Sequence, residues 1–325
     1  MITALDGLHC LPLPIPFPDS PVNVYLAEGE SLTLIDCGTR TDETYRALVD
    51  LLADHGYKIG DIQRLLITHH HTDHSGLAER IVAESGAEVW AHPLTVPWLE
   101  TPSAMRQYLE KFTDTFFKEN GVPAPVIAAM NAVNRYLVML AGATHVTCTL
   151  AEGDSVELAG HHWRVYHTPG HAGDLICLYQ PDTRVLLSSD HLMRDIRPNP
   201  LIEAPHHPGE PRPRPLLNYL REIQRIAALD IDIAYTGHGE PITNVRQLVE
   251  SRLAFYHQRA QKLLGLFEDQ PRTLYQLTQS MFPTSDDSRT YLTLSEVSGH
   301  LDLLEHENRV RREIREGVVY WVPQR

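Results

Sequence analysis

The stretch Arg64-Leu65-Leu66-Ile67-Thr68-His69-His70-His71-Thr72-Asp73-His74 decides how this 325-residue chain is read. The apolar Leu65-Leu66-Ile67 marks a buried strand, and a histidine-packed run begins where it ends. Alternate residues of an extended segment project to one side, so His69 and His71 can grip one cation together while His70 faces away. Asp73 and His74 follow as the chain turns into a helix. They point elsewhere and suit a second cation. Imidazole nitrogen and carboxylate oxygen are the ligands zinc favours, and a catalytic site keeps one position open for water.

One loop cannot close two coordination spheres, and further donors lie downstream. Thr168-Pro169-Gly170-His171 follows a strand that ends near His167. Ser188-Ser189-Asp190 ends another buried strand and offers a carboxylate able to bridge two ions. Thr236-Gly237-His238-Gly239 ends a third, with glycines that permit close backbone approach. Each donor falls at a strand end, where a scaffold of strands presents its functional groups.

Working outward, strands are predicted at Leu32–Asp36, Arg64–Thr68 and Glu88–Ala91, with helices at Thr41–His55 and Leu77–Ser85. Strand-helix-strand order argues for an α/β architecture. Residues 96–142 form a helical insertion, Ser103–Asn120 and Ala124–Leu140, broken by Gly121 and Pro123. Tyr108, Phe112 and Phe116 share one helical face. That stripe either packs on the domain or partly overhangs the site as a lid or substrate wall. Strand signals return at Asp154–Leu158, His162–Tyr166, Leu175–Tyr179 and Arg184–Ser188. The Pro- and His-rich stretch Arg197–Pro215 reads as a loop on the rim of the site. A helix at Pro215–Leu229 leads to a strand at Asp232–Thr236. Three helices follow, Val245–Phe267, Thr273–Met281 and Ser288–Asn308. A hairpin, Val310–Ile314 and Val318–Val322 about Gly317, closes the chain and gives a winged-helix-like tail. The expected division is a catalytic domain over 1–241 and a small module over 242–325.

The order His69-x-His71-x-Asp73-His74, then Pro169-Gly170-His171, then Ser189-Asp190, then Gly237-His238-Gly239, resembles the metallo-β-lactamase superfamily, with Asp36 of Ile35-Asp36-Cys37-Gly38 as the early motif. The resemblance covers about Val22 to Pro241. It implies an αββα sandwich, two facing β-sheets with helices outside and two metals at one edge. It also implies that His69, His71 and His171 hold the first ion, that Asp73, His74 and His238 hold the second, and that Asp190 bridges. Asp36 would orient the first loop from behind the ligands. The implied cofactor is a pair of Zn2+ ions, a set that also accepts Mn2+ or Fe2+. The implied reaction is hydrolysis by a hydroxide on the binuclear site, with Asp73 as the catalytic residue that handles its proton. The related flavodiiron oxidoreductases carry a glutamate where His71 stands and a flavodoxin domain behind it. This chain has neither, which argues against redox chemistry.

Three substrate classes compete. Glyoxalase II-like thioesterases share the Thr-His-His-His-x-Asp-His string, but the basic cluster that a glutathione carboxylate needs is not evident. Lactonases of the superfamily share the ligands, and an aromatic insert suits an acyl chain. The segment Tyr291–Glu305 is similar to the tail of lactamase-like protein 2, an endoribonuclease, which raises phosphodiester cleavage. After Gln270 the chain has seven arginines and no lysine against eight acids, and the whole chain carries a formal charge of −14. Gripping a polyanion needs a basic face, so nucleic acid is not the expected partner. A small-molecule ester, thioester or lactone is the expected substrate, with a phosphodiesterase or a metal-stabilised sensor as alternatives. His191, His206, His207, Tyr108 and Phe112 are the candidate substrate contacts. The tail is expected to pack or to form a homodimer. No apolar run reaches the length of a membrane span. The N-terminus lacks the pattern of a secretory signal. Cys10, Cys37, Cys148 and Cys177 form no CxxC pair and read as buried free thiols of a cytoplasmic protein.

Overall fold

The structure, a computed structural model, describes residues 5–17, 21–207, 209–284 and 289–324. Asp286, Asp287, Ser288 and Arg325, which entered the reading of the tail, lie outside the described residues. Two sheets face each other. The first runs in the order β1 (Leu8–Leu13), β2 (Val22–Ala27), β3 (Thr33–Ile35), β4 (Arg64–Ile67), β5 (Glu88–Ala91) and β6 (Cys148–Thr149). Its first three strands pair antiparallel and the rest parallel. The second runs β11 (Ile233–Thr236), β10 (Val185–Ser189), β9 (Ile176–Gln180), β8 (His161–His167) and β7 (Ser155–Leu158), with β10 and β11 parallel.

Side-chain alternation builds the layers. In β4, Leu66 turns toward the second sheet, into a core shared with Trp163, Val165, Ile176, Leu178, Val185 and Leu187. Leu65 and Ile67 turn the other way, onto α1 (Asp42–Asp54) and α3 (Ala78–Ser85) through Leu48, Leu52 and Ile81. In β9, Ile176 and Leu178 face the inner core, whereas Cys177 and Tyr179 face a third cluster. That cluster is covered by α7 (Pro215–Ala227), α8 (Val245–Gly265), α9 (Leu274–Met281) and α10 (Thr290–His306). Helix, sheet, sheet and helix are therefore stacked, and both sheets are buried on both faces.

Helix α1 starts where the sequence said, with the Thr41 hydroxyl accepting from the Thr44 N–H as its N-cap. The insertion is α5 (Pro102–Glu119) and α6 (Ala124–Val138), preceded by a short α4 (Val96–Glu100). Phe117 of α5 and Met130 of α6 enter the third cluster, with Phe112 and Phe116 packed against it. The chain closes on the hairpin β12 (Val310–Arg315) and β13 (Val318–Pro323).

Two expectations need correction. The N-terminal strands β1 and β2 were not read from sequence, although β2 pairs with β3 and begins at the site. All four cysteines are free, but only Cys37 and Cys177 are buried, while Cys10 is exposed and Cys148 lies between. Cys10 sits on β1, the edge of its sheet, on the same face as its cross-strand partner Tyr25. No described helix is long and apolar enough to cross a membrane.

Candidate metal centre

Every expected donor stands just past the end of a strand. His69 and His71 follow β4, and Asp73 and His74 ride on the single-turn helix α2 (Thr72–Ser75). His171 follows β8, Asp190 follows β10 and His238 follows β11. Facing sheets bring these ends to one place. One donor atom from each of His69, His71 and His171 lies within 4.8 Å of the others, and the same holds for Asp73, His74 and His238. A third grouping, His69, His74 and Asp190, links the two.

The His71 Nδ1 is 3.1 Å from His69 Nε2 and 2.9 Å from His171 Nε2. In the other cluster His238 Nε2 is 3.3 Å from Asp73 Oδ2 and 3.7 Å from Asp190 Oδ2. Asp190 Oδ2 also lies 3.4 Å from His171 Nε2, and its Oδ1 lies 3.4 Å from His74 Nε2. Asp190 thus reaches both clusters.

These atoms fit a cation. The His74 Nδ1 donates to Asp36 Oδ2 at 2.7 Å, so in the neutral ring Nε2 is the lone-pair nitrogen. That Nε2 and the facing Asp190 Oδ1 are buried and make no hydrogen bond. With the ring neutral these are two buried electron-rich atoms facing one another, which is costly, and either a proton on Nε2 or a shared cation removes the cost. The His238 ring is set the same way, its Nδ1 donating to the Pro21 carbonyl at 3.1 Å.

Electrostatics divide the clusters. Burial, with repulsion from neighbouring imidazoles, pushes His69 and His71 well below the ordinary histidine value, and burial also lowers His171. Their nitrogens are neutral lone pairs. Burial opposes charge on His74 and His238 too, but carboxylates outweigh it there. Asp190, Asp36 and Asp73 raise His74 well above its usual value, and Asp190 and Asp73 hold His238 at about 9. In return His74 and His238 keep Asp73 and Asp190 below the usual carboxylate range despite burial. These are protons that an arriving cation displaces.

Asp36 sits behind the ligands in a left-handed backbone conformation, φ 61°. Besides holding His74, its Oδ1 accepts from the Thr68 N–H and its Oδ2 from the Thr68 hydroxyl, both at 2.8 Å. It therefore ties the end of β4 to α2.

The structure also places residues the sequence did not flag. His70 turns away from the clusters, as alternation requires, and lands on Asp174. That carboxylate accepts from the His70 N–H at 2.9 Å, from His70 Nδ1 at 2.8 Å and from the Thr95 hydroxyl at 2.7 Å. Trp98 stacks on the His70 ring with centroids 4.1 Å apart. The acid three residues beyond His171 was the available signal for Asp174. A cavity of about 200 Å3 opens here, bordered by His70, Trp98, Met105, Tyr108, Asp174 and Glu203, with His206 and His207 at its edge. Of the candidate substrate contacts, Tyr108, His206 and His207 border this cavity. Phe112 packs with Phe116 on the helical core instead, and His191 is fully buried against Tyr219.

This constellation and fold define a metal-dependent hydrolase. The chain belongs to the metallo-β-lactamase superfamily, whose family model matches residues 17–238. It is 34% identical to a Bacillus subtilis (strain 168) protein named "Probable metallo-hydrolase YqjP", over 97% of this chain and 98% of that one. Among solved structures it is similar to metallo-beta-lactamase family protein TTHA1429 from Thermus thermophilus, with 30% identity, a TM-score of 0.83 and coverage of 98% and 99% of the two chains. A beta-lactamase domain protein from Burkholderia ambifaria shares the fold at 23% identity, a TM-score of 0.82 and coverage of 98% and 92%.

Proposed function

We propose that the protein is a binuclear zinc hydrolase that cleaves a carboxylic ester, thioester or lactone of a small molecule. The observation that carries this reading is the cavity beside the clusters. Its described lining has Trp98, Met105, Tyr108 and Leu94 but no lysine or arginine. An acyl group suits such walls, whereas a phosphodiester needs cationic contacts.

The first ion would be held by His69, His71 and His171 and the second by Asp73, His74 and His238, with Asp190 between them. A pair of divalent ions supplies Lewis-acid polarisation and makes a water acidic near neutral pH. The protein's own groups do the rest. Asp36 fixes the His74 tautomer and ring. Asp73 would accept the proton of the attacking water, turn its lone pair toward the carbonyl carbon, and return that proton to the departing oxygen or sulfur as the acyl–oxygen or acyl–sulfur bond breaks. No serine or cysteine nucleophile is called for. Trp98, Tyr108 and Met105 exclude water from the acyl side of the substrate.

Zinc-loaded protein screened against thioester, lactone and bis-p-nitrophenyl phosphate substrates tests the reading. Turnover is expected on the acyl compounds. Cleavage of the phosphodiester alone, or silence on all three at full zinc occupancy, overturns it.

A further inference from the structure

Glu203 enters none of the steps above, yet it lines the cavity whose wall also holds His70, between two of the candidate donors, and Gly173, two residues beyond a third. Its Oε1 accepts from the Gly173 N–H at 2.7 Å, two residues beyond His171. Its Oε2 has no hydrogen-bond partner among the described residues. Two other polar pairs of the wall are committed, whereas the His206 and His207 rings are exposed at its edge. Asp174 and His70 hold each other, and the Tyr108 hydroxyl donates to the Pro205 carbonyl at 3.0 Å.

We propose that this cavity is a subsite for the non-reacting end of the substrate, and that the Glu203 carboxyl donates a hydrogen bond there, from Oε2, to a carbonyl or hydroxyl oxygen of that end. The inference rests on the acyl-hydrolase reading and names its substrate class: an acyl group that carries an oxygen acceptor a few bonds from the scissile carbonyl. Size agrees, since about 200 Å3 is too small to enclose a whole drug-sized ligand and suits one end of it.

The chemistry of the wall makes the carboxyl a donor. Burial, to which Asp174 adds, pushes Glu203 up to about 8, although the Gly173 N–H pulls the other way. The groups that face it are Asp174 and His70 from the metal-ligand loops, His206 and His207 from its own loop, Tyr108 from α5 and Tyr291 from α10, whose hydroxyl donates to the Ile202 carbonyl. Arg106 of α5 lies over the Trp98 ring, 5.3 Å from its centroid, and is not part of the wall. No described lysine or arginine borders the cavity to favour the carboxylate. With Oε1 taken as the acceptor for Gly173, Oε2 is the oxygen left to carry the proton when the carboxyl is neutral.

The test is calorimetric titration of zinc-loaded protein with pentanoate and with 4-oxopentanoate. Both present a carboxylate, as a hydrolysis product would, and they differ by one carbonyl oxygen. At pH 7 the oxo acid is expected to bind about tenfold more tightly, the worth of one hydrogen bond. Glu203→Gln keeps an N–H donor and should keep that preference, while Glu203→Leu should lose it. Raising the pH from 7 to 9 should erase the preference in the natural protein as Glu203 ionises, and leave it intact in Glu203→Gln. Equal binding of the two acids by the natural protein, no binding of either, or a preference that survives in Glu203→Leu overturns the proposal. A preference that follows pH identically in Glu203→Gln does so too. Because the readout is binding, failure here is separate from silence in the turnover screen.

Discussion

At the scale of single residues, the centre depends on groups that never touch the substrate. Asp36 accepts three hydrogen bonds, two from Thr68 and one from His74. Asp36→Asn keeps the shape but places an amide N–H2 where an acceptor is needed. Either Thr68 or His74 then loses its partner, and His74 can turn its protonated nitrogen toward the ions. Zinc affinity should fall by about 10- to 100-fold, the usual effect of removing such support. Chelator competition reads this, with far-UV dichroism unchanged; unaltered affinity would show that Asp36 is not what orients His74. His71→Ala removes the nitrogen that His69 and His171 share. It should abolish turnover and lower zinc content by one ion per chain while the fold persists. Full activity with one ion missing would contradict the two-ion reading.

At the scale of elements, each ligand sits where a strand runs out, and the backbone there tolerates little bulk. A Cβ on Gly237 would lie 2.0 Å from Asp190 Oδ1 and 3.0 Å from His74 Cε1. Neither can yield without leaving its place in the centre. Gly237→Ala should cost activity at least about 100-fold and about 1–3 kcal/mol of stability, the range for overpacking a filled site. Steady-state kinetics and urea unfolding measure both, and wild-type kinetics with bound zinc would count against so tight a fit. The same strand ends explain how much could be read in advance. Ile67, Ser189 and Thr236 each close a short apolar run, so β4, β10 and β11 and the candidate donors that follow them were legible together. Strand β1 was not, because Pro12 interrupts Leu8–Leu13; the strand survives as a sheet edge, where a missing N–H is tolerated. Strand β2 is buried throughout and shows no alternation. Its buried Asn23 looks out of place until the fold supplies the Thr236 and Gly239 carbonyls, 213 and 216 residues away, as acceptors. Glu203 was illegible for a similar reason, since nothing near it in sequence announces Gly173 or Asp174.

At the scale of the whole molecule, acid should loosen the packing of the C-terminal helices. His300 of α10 is buried beside Tyr256, and its Nδ1 bonds the Glu296 carbonyl at 2.7 Å. Burial, with Arg259 adding, lowers it to about 4. Between pH 6.5 and 4 the unfolded chain takes up a proton there that the folded chain refuses, so stability falls as the pH drops through that window. The loss is about 3 kcal/mol from this group, and below about pH 4 it grows no further. His300→Leu should flatten the decline in urea midpoint between about pH 7 and about pH 4.5, and an unchanged slope would mean that α10 already gives way to admit the proton.

The same helices bear on the division drawn at residue 241. Leu294, Val297 and Leu301 of α10 share one buried cluster with Leu216 and Tyr219 of α7 and with Ala172 and Leu175 beside His171. Two ion pairs, Arg212 with Asp302 at 2.6 Å and Arg214 with Glu305 at 2.7 Å, join the loop ahead of α7 to α10. Arg252 of α8 donates to the carbonyls of Met193, Arg194 and Ile196, and the Tyr256 hydroxyl donates to that of Pro198. Those carbonyls belong to the stretch that begins at Asp190, so α8 holds the segment that carries this carboxylate. A chain ending at residue 241 would expose the outer face of the second sheet and free this segment. It should lose near-UV dichroism, bind a hydrophobic dye and take up less zinc than the full chain. A soluble 1–241 fragment that unfolds cooperatively and retains both ions would establish the tail as a separate module, with the packing seen here incidental to the centre.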